Sequence, residues 1–252
     1  MTARIVRGAC PHDCPDTCAM HVTVEDGRAV KVAGDPDHPI TVGFLCGKVS
    51  NYLDRVYADD RILHPLVRRD GGFRQASWDE ALDLVAERLL SIRDEFGGES
   101  ILPYSYMGTQ GLIQGNTMSA RVMNALGASA LERTICATAG IVGTVQAHGV
   151  SPEVDPEEWH NARYLLIWGW NPLSTAPHLW RKLLDARNAG ARLVVVDPFR
   201  SRTARLADEH LRPLPGTDAA LAIGMMRAIV DAGLQDEDWC RAHTDGYDEL
   251  LG

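Results

Sequence analysis

The sequence predicts an α/β protein, with a small β-rich module at residues 1–55 and a larger α/β domain over residues 56–252. Three observations carry that prediction. Four of the six cysteines fall within the first 46 residues, around two short runs of alternating apolar residues. Asp26-Gly27 separates those runs and is a hairpin signal, because both residues tolerate positive φ. Beyond residue 100, apolar strand-like segments alternate with helical ones, the pattern of a mainly parallel sheet with helices on both faces.

Taken in order, MHVTVE (20–25) and RAVKVAG (28–34) read as strands, DPDHP (35–39) as a loop, and GFLCGK (43–48) as a turn returning to the first cysteines. Such a module buries little apolar area, so a metal centre is expected to supply much of its stability. Residues 56–76 read as a connector, with LHPLVRR running over a surface. Ser77 and Glu80 form a capping box for a helix whose apolar stripe is Ala81, Leu82, Val85, Leu89 and Ile92, ended by Gly97-Gly98. ILPYSY (101–106) reads as a strand, and a helix over roughly 116–126 stops near Gly127. RYLLIW (163–168) and ARLVVVD (191–197) are strands around the helix PHLWRKLLDARNAG (177–190), and TDAALAIGMMRAIVDAG (217–233) is an amphipathic helix.

Composition narrows the function classes. A hydrophobic content of 45% with 23% charged residues is that of a soluble globular protein. The net charge of −9 argues against non-specific nucleic-acid binding, although Arg200, Arg202 and Arg205 offer a local basic patch for phosphates. No run approaches the roughly 18 apolar residues of a membrane span. MTARIVRGAC lacks the apolar centre of a secretory signal and has no twin-arginine pair, so a cytoplasmic location is expected.

The cysteines are Cys10, Cys14, Cys18, Cys46, Cys136 and Cys240, and the first four are clustered as metal ligands are. Three thiolates on one loop, closed by a fourth from a distant turn, can surround a cubane iron–sulfur cluster. Pro11 and Pro15 stiffen the loop, and Gly43 and Gly47 flank Cys46, where backbone amides can approach cluster sulfurs. The same four residues also suit a structural zinc ion, and a disulfide pair is a third possibility.

CPHDCPDTC, GFLCGK and SWDEAL together resemble the opening of the molybdopterin oxidoreductases that bind pyranopterin guanine dinucleotides, and the resemblance runs from residue 10 to about 250. The gap of three residues between the first two cysteines departs from the family, where two is commoner. The resemblance implies a [4Fe-4S] cluster on Cys10, Cys14, Cys18 and Cys46, with Lys48 as a catalytic residue between cluster and pterin. It implies a molybdopterin guanine dinucleotide site at the strand and helix ends LLIWGWNP, VVVDPFRSRTA and LPGTDAAL, where Gly169, Asn171, Asp197, Gly216, Thr217 and Asp218 would meet the cofactor. Ligands of open α/β sheets bind at such carboxyl ends.

By the same resemblance, Cys136 stands where relatives place the protein ligand to molybdenum or tungsten, followed by the small residues Ala137, Ala139 and Gly140. Ala137 replaces the histidine that formate-oxidising relatives carry directly after that ligand. The implied function is two-electron redox chemistry, oxygen-atom transfer above all, on a small-molecule substrate, with a redox partner protein or subunit. Family enzymes are several times longer, so the domain over residues 56–252 reads as incomplete: a fragment, a truncated reading frame or one half of a split enzyme with its C-terminal portion as a separate chain. Two rivals remain: an electron-transfer subunit with a vestigial pterin site, and a zinc-stabilised binding module.

Overall fold

Three strands open the chain as an antiparallel meander, β1 (Arg4–Ala9), β2 (Ala19–Glu25) and β3 (Arg28–Gly34). The computed structural model describes residues 3–105, 117–134, 137–151 and 153–251. Asp26 and Gly27 both take positive φ, 49° and 81°, so the expected two-residue turn closes β2 onto β3. β1 is additional to the expected hairpin; every one of its residues is exposed, which left no alternation to read. The loop carrying the first three cysteines joins β1 to β2 and is closed by Cys10 N–H donating to the Cys18 carbonyl at 2.8 Å.

Two short helices follow the fourth cysteine, α1 (Gly47–Ser50) and α2 (Tyr52–Val56). The expected connector then folds as a hairpin, β4 (Leu66–Arg69) with β5 (Gly72–Gln75). Asp70-Gly71 is a second Asp-Gly turn, with φ of 50° and 82°, and overrides the connector reading. Helix α3 (Trp78–Phe96) starts as expected, Ser77 Oγ accepting from Glu80 N–H at 3.1 Å. The return half of the capping box is absent, because the Glu80 carboxylate pairs with Arg74 instead. Residues 101–105 are not a strand: Ile101 accepts from Ser129 N–H at 2.9 Å and donates to the Gly98 carbonyl at 3.0 Å, with no ladder partner among the described residues. Helix α4 (Met118–Leu126) ends at Gly127 with φ of 68°, and α5 (Ala137–His148) follows.

The remaining elements are β6 (Tyr164–Trp168), α6 (Pro172–Thr175), α7 (Pro177–Asn188), β7 (Arg192–Val196), β8 (Glu209–Leu211), α8 (Asp218–Asp231), α9 (Glu237–His243) and α10 (Tyr247–Leu251). β6, β7 and β8 form the expected parallel sheet in that order. Leu193, Val194, Val195 and Val196 of β7 are fully buried, as strands of a parallel sheet are when both faces are covered. β6 alternates instead, with Leu165 and Ile167 buried while Tyr164 and Leu166 are exposed, so it is covered on one face. β8 was not foreseen, being three residues with only one aliphatic among them.

The crossover from β7 to β8 is fixed by Asp208, which accepts from Leu193 N–H at 2.8 Å and pairs with Arg187. Its own N–H returns to the Leu193 carbonyl at 2.8 Å. By internal contacts the chain forms two compact units, Met1–Glu158 with Ala176–Lys182, and Trp159–Thr175 with Leu183–Gly252.

Candidate cluster and cofactor sites

In the first unit, Cys10, Cys14, Cys18 and Cys46 are all free thiols, which removes the disulfide alternative for them. Cys18 is buried and the other three half-buried. Burial pushes the Cys18 thiol up to about 11, and Asp16, Cys10 and Cys14 add to the rise while the Thr41 hydroxyl opposes it. Cys14 is also raised, chiefly by burial, with Asp16 and Cys10 adding and Lys48 opposing. Burial raises Tyr52 as well, and Cys10, Cys46 and Cys14 reinforce it, so one phenol feels thiols from both segments. Burial and neighbouring negative charge disfavour the thiolates of Cys14 and Cys18, a condition that a bound cationic centre relieves. The donor set therefore fits a four-thiolate metal group.

The backbone that carries these ligands is unusual. Thr17 and Val42 are β-branched yet have φ of 46°, a region such residues rarely occupy, and they lie in the two cysteine-bearing segments. A Cβ on Gly34 would sit 2.7 Å from the Gly43 carbonyl carbon and 2.8 Å from Phe44 N, so glycine lets β3 approach the turn leading to Cys46. Lys48 is exposed and lines a cavity of about 1100 Å³ with His12, Tyr52, Arg55, Asp60 and Arg61. Three of those six residues are permanent cations, and only one carries a carboxylate, so the cavity favours anionic groups.

Sequence reasoning passed over three buried residues around Cys18. Asp16 and Thr41 are each 1% exposed and His178 is 3% exposed. Asp16 accepts from the backbone N–H groups of His178 at 3.0 Å and Leu179 at 3.3 Å, capping the first turn of α7. His178 Nδ1 lies 2.8 Å from Asp16 Oδ2 and 3.5 Å from Cys18 Sγ, while Nε2 lies 2.8 Å from the Phe44 carbonyl. The signal for Asp16 was available in its position between two cysteines; His178 carried none, since it reads as an ordinary residue at a helix start.

In the second unit, the residues expected to meet a dinucleotide follow the carboxyl ends of the three parallel strands. Gly169, after β6, has φ of 63° and donates to the Val196 carbonyl at 2.9 Å. Asn171 Oδ1 accepts from the Thr203 hydroxyl at 2.6 Å, which commits its acceptor and leaves its amide hydrogens as the donors for a ligand. Asp197, after β7, accepts from Phe199 N–H through Oδ1 at 2.8 Å, and its carbonyl accepts from His210 Nε2 at 2.8 Å. Gly216 has φ of 86°, Thr217 donates its hydroxyl to the Leu214 carbonyl at 2.7 Å, and Asp218 opens α8. Asp218 Oδ1 accepts from Trp168 Nε1 at 2.6 Å, joining the α8 start to the end of β6.

Trp168, Thr203 and His210 therefore hold the expected contact residues in place, and none of them was singled out in the sequence. Thr217 also lines a cavity of about 410 Å³ with His210, Leu211, Arg212 and Pro213. Arg200, Arg202 and Arg205 are exposed. Cys136 lies outside the described residues.

Residues 3–58 match the profile of the molybdopterin oxidoreductase Fe4S4 domain, and residues 61–242 match that of molybdopterin oxidoreductase. The chain belongs to the molybdopterin oxidoreductase family. It is 42% identical to the probable oxidoreductase YoaE of Bacillus subtilis (strain 168), over 98% of this chain and 37% of that protein. It is 28% identical to the F420-dependent formate dehydrogenase subunit alpha of Methanocaldococcus jannaschii, over 99% of this chain and 37% of the relative. Acetylene hydratase from Pelobacter acetylenicus shares the fold with a TM-score of 0.71 and 26% identity, covering 96% of this chain and 34% of that one. The chain thus spans about 37% of the length of the relatives it matches. No helix among the described residues is long and apolar enough to cross a membrane.

Proposed function

We propose that this chain binds a [4Fe-4S] cluster through Cys10, Cys14, Cys18 and Cys46 and a molybdopterin guanine dinucleotide carrying molybdenum or tungsten, for two-electron redox chemistry on a small molecule. Oxygen-atom transfer is the reaction type of this reading. The observation that carries it is the set of four free thiols, Cys10, Cys14, Cys18 and Cys46, within the segment that matches the Fe4S4 domain. When bound, the cluster exchanges single electrons and the pterin-held metal supplies two-electron chemistry that no side chain here provides.

The chain's own part is binding and electrostatics. Lys48 offsets negative charge between the thiolates and an anionic pterin, and Arg55 and Arg61 make its cavity attractive to phosphates. Gly169 and Gly216 allow backbone approach, Asn171 donates through its amide, and Asp197 and Asp218 each keep one carboxylate oxygen for guanine or ribose donors. Cys136 is the proposed thiolate ligand to the metal. A redox partner belongs to this proposal, in keeping with a relative named as an alpha subunit, as does a cytoplasmic setting that keeps the thiols reduced.

Anaerobic purification with quantification of iron, sulfide, molybdenum, tungsten and pterin tests the reading. Iron and sulfide in cluster ratio, with fluorescent oxidised pterin on denaturation, are the expected result. Zinc without iron would replace the cluster by a structural ion, and a cluster without pterin would leave an electron-transfer protein.

A further inference from the structure

His178 lies outside the segment that matches the Fe4S4 domain, yet its side chain is buried within the cysteine module. Its ring touches both ligand-bearing segments. On the loop of Cys10, Cys14 and Cys18 it meets Asp16 Oδ2 at 2.8 Å and Cys18 Sγ at 3.5 Å. On the turn that leads to Cys46 it meets the Phe44 carbonyl at 2.8 Å and packs on the Phe44 ring with centroids 4.6 Å apart. The Phe44 carbonyl can only accept, which places a hydrogen on Nε2 and turns Nδ1 toward Asp16 Oδ2. Asp16 is committed in turn to the backbone N–H groups of His178 and Leu179, so neither partner can rotate without losing a second bond.

We propose that His178 is a positioning residue for the iron–sulfur site: with Asp16 it sets the spacing between the Cys18 loop and the Cys46 turn. The inference rests on the cluster assignment above. Outer residues that orient metal ligands are worth on the order of tenfold or more in metal retention. An alternative use of the same atoms is a mononuclear site, since ligand atoms of Asp16, Cys18 and His178 lie within 4.8 Å of one another. A cation there would consume Cys18, so the two uses exclude each other.

The test reconstitutes the full chain anaerobically with iron and sulfide, as wild type, His178→Leu, His178→Gln and Asp16→Asn, with circular dichroism as a check on folding. Loss of cluster to an iron chelator and the electron paramagnetic resonance spectrum of the reduced cluster are read in each. Expected is loss on the order of tenfold faster in His178→Leu with an altered spectrum, and partial rescue by His178→Gln, whose amide can still donate to the Phe44 carbonyl. Unchanged retention and spectrum in His178→Leu would overturn the inference, and should that variant not fold, the same result in His178→Gln and Asp16→Asn would do so. A single zinc per chain that His178→Leu abolishes but Cys46→Ser spares would overturn it in favour of the mononuclear site. Failure of the wild type to take up iron would instead remove the cluster assignment on which it rests.

Discussion

At the scale of single residues, the ligand-bearing segments are held by backbone features that ordinary side chains resist. Gly34→Ala would drive a methyl group against the Gly43–Phe44 backbone, which has no flexible end to give way. We expect a loss of about 1–3 kcal/mol in unfolding free energy, measured by denaturant titration, together with lower iron content. Val42 is half exposed, so its φ of 46° is not repaid by burial of the side chain. Val42→Gly should therefore raise the stability of the cluster-free chain, by about 1 kcal/mol. A fall instead would mean that the glycine's entropy outweighs the relieved strain. Side-chain burial also separates the thiols: Cys18 alone among the four is buried, with His178 Nδ1 3.5 Å from its Sγ.

Elements are decided by short-range chemistry where a turn or cap controls them, and by partners where nothing local does. Asp26-Gly27 and the Ser77 cap were legible because two to four adjacent residues determine them. Asp70-Gly71 carried the same signal, but the short, charged flanks of β4 and β5 masked it. Residues 101–105 have strand composition without a ladder partner among the described residues, and β8 has its partner, β7, without strand composition. The strand-end motifs were legible as sequence, whereas the hydrogen bonds that place them, from Trp168, Thr203 and His210, join residues far apart in the chain. The β7–β8 crossover supplies a pH test. Asp208 is held below its ordinary value of 3.8 first by Leu193 N–H and then by Arg187. A depressed carboxylate contributes stability that is present above its unfolded value and is lost as pH falls through the folded one. Acid unfolding of Asp208→Asn, followed from neutral pH downward, should start from lower stability and decline less steeply in the window below 3.8. Identical acid limbs for the two proteins would show that the carboxylate is not coupled to folding.

On the scale of the whole molecule, the two units rest on different cores. In the second, aliphatic residues of β6 and β7 are packed in the usual way, with Leu183, Leu193 and Val194 to Val196 almost wholly buried. The first buries Asp16, Asp35, Thr41 and His178 beside few aliphatics, and no residue of α3 is buried. A metal group would be its main cross-link. Removing iron with a chelator should therefore lower the unfolding midpoint of the first unit more than that of the second. Differential scanning calorimetry of the loaded and chelated chain reads this directly, and equal shifts in both transitions would contradict it. The central position of β7 has a consequence on a slower clock. Val194, Val195 and Val196 are fully buried and flanked by strands on both edges, so their amides exchange with heavy water only when the sheet opens. Deuterium uptake at those three valines then reports the opening free energy of the parallel sheet.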